Sequence, residues 1–320
     1  MKILFLHPYG KLGDWNFRLK KQIEMISKHF ELVVESVKPT ELGFENKDND
    51  FIRKRIKEEK PNLIYVNSFY YETAIRDCNV PYIYDMGSFL SRNILINQYG
   101  YDVKEMLAIP DKELIWKLEN CKMSDYYRKE KAVLEKAKAI TTWGSEEDIL
   151  MQKIFGNGVY SKIKPILTNF TEFPPLISFQ DKKPLILAIT PKWGDKEKNL
   201  SLLNDIRKEI DIKVIGNSGD ESFVEHTELM KKLNDARVLF CPYKAGGCGT
   251  VVEGLKLGCN VVTMEYYPFN NCINEELIAN KKNVVEILKK ALVNYYPPKN
   301  IPIEQNHLEN LIKLCQSSTT

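Results

Sequence analysis

The 320-residue chain is predicted to fold as two α/β domains, each a Rossmann-like parallel sheet. Short apolar runs alternate with helical periodicities, and the whole series occurs twice. A proline-bearing stretch separates the two series, and glycine turns follow several of the apolar runs. The length suffices for two domains of ordinary size.

In the first series, Lys2 to Leu6 reads as a strand followed by a glycine turn. Leu19, Ile23, Ile26 and Phe30 recur at helical spacing, marking an amphipathic helix packed on a sheet. Leu32 to Val37 returns as a strand. Phe51 to Glu59 is a charged helix that Pro61 ends, with Asp50 as its N-cap. Asp48-Asn49-Asp50 therefore reads as a helix start rather than a metal motif. Leu63 to Val66, Tyr82 to Tyr84, Ala139 to Thr142 and Lys164 to Leu167 complete the strands of a domain spanning 1–172. Residues 86–127 interrupt it with a helical insertion rich in Tyr, Leu and Ile. That composition suits a small subdomain closing its own core, an acceptor site, or a peripheral membrane contact.

Residues 173–183 form the linker. The second domain, 184–296, has strands at Leu185 to Ile189, Ile212 to Ile215, Val238 to Cys241 and Asn260 to Thr263. Its helices lie near Leu200 to Ile210, Thr227 to Asp235, Thr250 to Leu257 and Asn283 to Tyr295. Pro297-Pro298 redirects the chain into a tail, 297–320, whose helix runs from about Glu304 to Cys315.

With 28% charged residues and a net charge of only +3, composition makes no case for a nucleic-acid binder. No run reaches the roughly 18 apolar residues of a membrane span, and Met1 to His7 is too short for a signal peptide. Seven scattered cysteines without a Cys-x-x-Cys pair argue against a disulfide framework, so a cytoplasmic protein is expected. The four histidines lack zinc-ligand spacing, and no metal is expected.

The most specific motif is residues 242–253, Pro-Tyr-Lys-Ala-Gly-Gly-Cys-Gly-Thr-Val-Val-Glu: strand exit, glycine loop and helix start. Backbone N–H groups of such a loop approach a phosphate, and the helix dipole favours its charge. Gly247, Cys248, Gly249 and Thr250 are the candidate donors there, and Glu253 lies just inside the helix. Lys192 and Lys198 follow the strand Leu185 to Ile189. Gly10 and Gly13 follow the first strand, Asn217 ends another, and His226 opens a helix. Asp85 ends the strand Tyr82 to Tyr84, where it can cap a turn or act on an acceptor hydroxyl.

These motifs resemble those of GT-B glycosyltransferases, in particular the retaining group 4 family (glycosyl transferases group 1). The resemblance implies two Rossmann-like domains facing across a cleft, with the C-terminal helix crossing back to the first. It implies a nucleoside-diphosphate sugar as substrate, no cofactor, and retention at the anomeric carbon. Lys198 and Lys192 would neutralise the leaving diphosphate and Glu253 would bind the ribose. Gly10 and Gly13 would approach the phosphate, while the segments of Asn217 and His226 would flank the nucleobase. The sequence departs from the family at Ala245, where the first of two glutamates is usual, and beside Asp85, where Met86 and Gly87 replace a histidine. Two alternatives stay open: a non-catalytic sugar-nucleotide or glycan binder, and a nucleotide-sugar epimerase. The acceptor, whether glycan, lipid or protein, is not readable. Gly10 and Gly13 lack the Gly-x-Gly-x-x-Gly spacing of a dinucleotide dehydrogenase.

Overall fold

The computed structural model describes residues 1–8, 17–36, 46–67, 71–86, 89–166, 173–190, 198–216, 219–222, 224–246, 248–301 and 304–319. The chain divides into two compact units. One comprises Met1–Ile94, Ile109–Phe170 and Ile303–Thr320; the other comprises Leu95–Ala108 and Thr171–Pro302.

The first unit is built on six parallel strands: β1 (Lys2–His7), β2 (Glu31–Ser36), β3 (Leu63–Val66), β4 (Tyr82–Asp85), β5 (Ala139–Thr142) and β6 (Ile163–Pro165). Their order is β2-β1-β3-β4-β5-β6. In β1, Ile3, Leu4, Phe5 and Leu6 all have no exposed surface, as expected of a strand covered on both faces. Helices α1 (Phe17–Ser27), α2 (Asn46–Glu59) and α3 (Glu72–Arg76) connect the first strands. The insertion supplies α4 (Leu90–Tyr99), α5 (Val103–Ala108), α6 (Asp111–Glu119) and α7 (Ser124–Lys136), and α8 (Glu146–Phe155) and α9 (Asn157–Tyr160) follow β5.

The second unit has five parallel strands: β7 (Lys183–Thr190), β8 (Lys213–Gly216), β9 (Ala236–Cys241), β10 (Asn260–Met264) and the two-residue β11 (Ile278–Ala279). The order is β11-β10-β9-β7-β8. Helices α10 (Leu200–Ile206), α11 (His226–Asp235), α12 (Cys248–Lys256) and α13 (Val284–Val293) cover it. The last helix, α14 (Glu304–Ser317), belongs to the first unit. Its Leu311 and Cys315 share one core with Ile3, Phe5, Leu19, Ile26, Leu63 and Tyr65.

Four expectations are corrected. The charged helix α2 begins at Asn46, so Asp50 lies within it and pairs with Arg53 at 2.7 Å instead of capping. Phe179–Asp181 forms a 3₁₀ turn and β7 starts at Lys183, so the linker's end is already ordered structure. β11 went unread because two residues make no apolar run. The insertion is also not one subdomain: its segment Leu95–Ala108 groups with the second unit. All seven cysteines are free, and among the described residues no helix is long and apolar enough to cross a membrane.

Candidate functional site

Both sheets reverse strand order at one place, between β1 and β3 in the first and between β7 and β9 in the second. Ligands of open parallel sheets bind outside the carboxyl ends of the strands at such a switch point. In the second unit the residues described at this point are Lys198, which precedes α10, and the loop that follows β9, Pro242 to Gly246.

Lys198 Nζ donates to the carbonyl of Ala245 at 3.0 Å and lies 4.2 Å from the centroid of the Tyr243 ring. The ring's negative face holds the ammonium electrostatically. Burial pushes the Cys241 thiol up to about 12, and the positive charge of Lys198 opposes that rise. Gly246 has φ +64°, and a Cβ there would stand 3.1 Å from Lys198 Nζ, so a glycine both permits the turn and leaves room for the ammonium. At the neighbouring strand end, Gly216 has φ +120° and a Cβ would meet the Thr190 carbonyl oxygen at 1.9 Å, which only glycine avoids.

Three tyrosines fix this loop through their hydroxyls. Tyr243 donates to the Ile189 carbonyl at 2.7 Å, tying β7 to the loop. Tyr266 donates to the Pro242 carbonyl at 3.3 Å while accepting from Asn199 Nδ2 at 2.6 Å. Tyr267 donates to the Gly246 carbonyl at 3.1 Å and approaches Cys248 Sγ at 3.8 Å. Asn199 itself adopts left-handed backbone angles, φ 55° and ψ 48°, as it enters α10. Cys248 and Gly249, both buried, begin α12, and Thr250 is half-buried in its first turn. The first N–H groups of a helix have no intrahelical partner, so this terminus is suited to an anion.

Glu253 lies in the middle of α12 and has no exposed surface. Its Oε1 is 3.2 Å from His226 Nε2, at the start of α11. A carboxylate withdrawn from water needs such a partner. The two residues thus come together from helices far apart in sequence.

Asp85 belongs to the first unit, where it is buried and accepts from the neutral side chains of Gln22, Asn67 and Thr141. Gln22 Nε2 and Asn67 Nδ2 reach Oδ2 at 3.0 and 3.1 Å, and Thr141 Oγ1 reaches Oδ1 at 2.7 Å. The Gln22 amide also donates to Tyr65 Oη at 3.0 Å. Asp85 therefore ties the ends of β3, β4 and β5 to α1. His7, at the end of β1, is also buried, and burial lowers its imidazole to about 4, so it is neutral.

Of the residues singled out in the sequence, the structure groups Lys198 with the glycine loop and the start of α12, and His226 with Glu253. Gly10, Gly13, Lys192, Asn217 and Gly247 lie outside the described residues. The three tyrosines were missed as site residues; the Tyr266-Tyr267 pair just past the end of a buried strand was the available signal. Among the described residues no group of three or more His, Cys, Asp or Glu could hold a metal ion.

No protein-family profile matches the chain, and no curated protein sequence does. Solved structures do match. Sucrose-phosphate synthase from Thermosynechococcus elongatus superposes over 100% of this chain and 96% of its own, with TM-score 0.65 and 12% identity. Anabaena HepE, solved with UDP and glucose, covers 100% of this chain and 94% of its own, with TM-score 0.55 and 10% identity. UDP-GlcNAc 2-epimerase from Methanocaldococcus jannaschii covers 98% and 99%, with TM-score 0.55 and 10% identity. Together with the two parallel sheets, these matches establish a two-domain, Rossmann-like GT-B fold.

Proposed function

We propose that the chain is a glycosyltransferase that takes its sugar from a nucleoside-diphosphate donor, with the diphosphate bound at the β7/β9 switch point. The observation that carries this reading is the Lys198 ammonium held on the Ala245 carbonyl, in the glycine loop that leads into the N-terminus of α12. The fold supports it, since HepE was solved with UDP and glucose.

As the anomeric C–O bond breaks, negative charge grows on the departing diphosphate. Lys198 and the α12 N-terminus stabilise that charge, and Lys192 is assigned to assist. Dipoles and charges fixed before reaction act strongly because they need not reorganise. Glu253, oriented by His226, accepts hydrogen bonds from the ribose hydroxyls. The acceptor attacks from the face that the diphosphate leaves, giving retention, and a diphosphate oxygen takes the proton. With protein cations and helix amides supplying the neutralisation, transfer is expected to proceed in EDTA at an unchanged rate.

Calorimetric titration with UDP, GDP and ADP tests the donor site directly. At least one should bind, and Glu253→Ala should abolish that binding or reduce it at least about ten-fold, the loss expected for charged hydrogen bonds. No binding by any of the three would overturn the proposal. A second reading, a nucleotide-sugar epimerase, is favoured by the likeness to the Methanocaldococcus epimerase. Incubation with UDP-GlcNAc alone, followed by chromatographic separation of the 2-epimers, distinguishes them, because epimerisation requires no acceptor.

A further inference from the structure

The segment Leu95–Ala108 leaves the first unit's chain and packs as part of the second. Its bend, Tyr99-Gly100-Tyr101-Asp102, joins α4 to α5. Gly100 has φ +78°, and the two flanking rings stack at 5.7 Å between centroids with 18° between planes. Stacking fixes the two rings against each other, with Tyr99 38% exposed and Tyr101 half-buried. The bend's far end is braced by a reciprocal cap: Asp102 Oδ1 accepts from the Glu105 N–H and Glu105 Oε2 accepts from the Asp102 N–H, both at 2.8 Å.

Two short routes tie this bend to the loop that holds Lys198. Lys244, next to Ala245, donates its Nζ to the Gly100 carbonyl at 2.5 Å. Tyr266, which accepts from Asn199 next to Lys198, lies within the electrostatic reach of Asp102, as does Lys244. Lys104 and Glu265 form a third contact at 3.7 Å, at the end of β10. The aromatic pair is thus attached directly beside the candidate diphosphate loop, in the same unit.

We infer that this bend is a saccharide subsite: the Tyr99 and Tyr101 rings form a platform for the C–H face of a pyranose ring, and the Asp102 carboxylate accepts from its hydroxyls. A partly exposed aromatic pair with a carboxylate next to it in the chain suits a sugar, whose one face is apolar and whose rim is all hydroxyls. A lipid chain would find no use for the Asp102 carboxylate beside Tyr101 or for the Lys244 ammonium on the Gly100 carbonyl. The inference rests on the glycosyltransferase reading, in which the platform receives the acceptor sugar while the Lys198 loop holds the donor diphosphate.

The test uses the full chain and two separate titrations. Saturation-transfer NMR with maltotriose, cellotriose and chitotriose reads the platform, and calorimetry with UDP reads the Lys198 loop. At least one trisaccharide should bind. Tyr99→Ala and Tyr101→Ala should each weaken it about ten-fold, the size of a lost stacking contact, whereas Tyr99→Phe should keep the affinity within about two-fold. UDP affinity should stay at the wild-type value in all three. Absence of binding by all three sugars would overturn the platform, as would equal trisaccharide affinity in the alanine variants. Binding of decyl phosphate that Tyr99→Ala weakens, without saccharide binding, would assign the bend to a lipid instead. UDP binding in the same samples reports independently whether the donor reading survives.

Discussion

The Lys198 ammonium donates to the Ala245 carbonyl while its charge rests on the Tyr243 ring. This arrangement holds the cation before any ligand arrives. Lys198→Ala is expected to weaken UDP binding roughly 10- to 100-fold, the range for losing a charge-assisted hydrogen bond. Lys198→Arg should not restore it, because the planar guanidinium is larger than the place between Gly246 and Tyr243. Gly246→Ala should also weaken UDP binding and lower stability by about 1 kcal/mol, since it forces a side chain at φ +64° against the ammonium. Titration calorimetry checks all three. Lys198 was singled out in the sequence by its place between a buried strand and a helix, although a charged run there more often forms a solvated face. Tyr243, Tyr266 and Tyr267 were not, because a tyrosine after an apolar strand reads as core until its hydroxyl is seen on a carbonyl.

The same distinction holds for elements. Strands were readable as short apolar runs, and ten of the eleven among the described residues lie at nearly the expected places. The helices of the insertion were harder, because what positions α4 comes from another element. Glu130 on α7 has no exposed surface and accepts from the Leu90 and Ser91 N–H groups at 2.8 Å each, and from Ser91 Oγ at 2.5 Å. No local cap residue announces that. Burial raises its carboxyl to about 7, although these bonds and the charge of Arg92 oppose the rise. A carboxyl that binds its proton more tightly folded than unfolded contributes most below its unfolded value near 4.5, and this contribution declines as pH climbs to about 7. Relative to Glu130→Gln, wild-type stability should therefore fall between pH 4.5 and 7 and level off above, by up to about 3 kcal/mol. Comparing urea unfolding of the two proteins across that range isolates Glu130 from His7, whose depressed imidazole value makes stability rise with pH between about 4 and 6.5.

For the molecule as a whole, the two-sheet plan was legible because strand–helix alternation repeats on either side of residues 173–183. The assignment of Leu95–Ala108 was not, since local sequence does not say which core a helix enters. The return of the chain at α14 was expected from family resemblance, and the shared core of Leu311 and Cys315 with Ile3 and Phe5 gives its physical basis. Leu311→Ala should lower the first unit's stability by about 2–4 kcal/mol, the usual cost of a cavity at a buried leucine. Faster hydrogen exchange in β1 and β3, with UDP affinity unchanged, would confirm that the loss is confined to that unit.

The discontinuous first unit also bears on how the polypeptide matures. Ile3 and Phe5 emerge from the ribosome early, yet the side chains that seal them, Leu311 and Cys315, emerge after Thr171–Pro302 has been made. The sheet whose strands all lie within 183–279 can therefore close first, while the earlier one waits with an open apolar face. During translation that waiting surface is where a chaperone would engage the nascent protein.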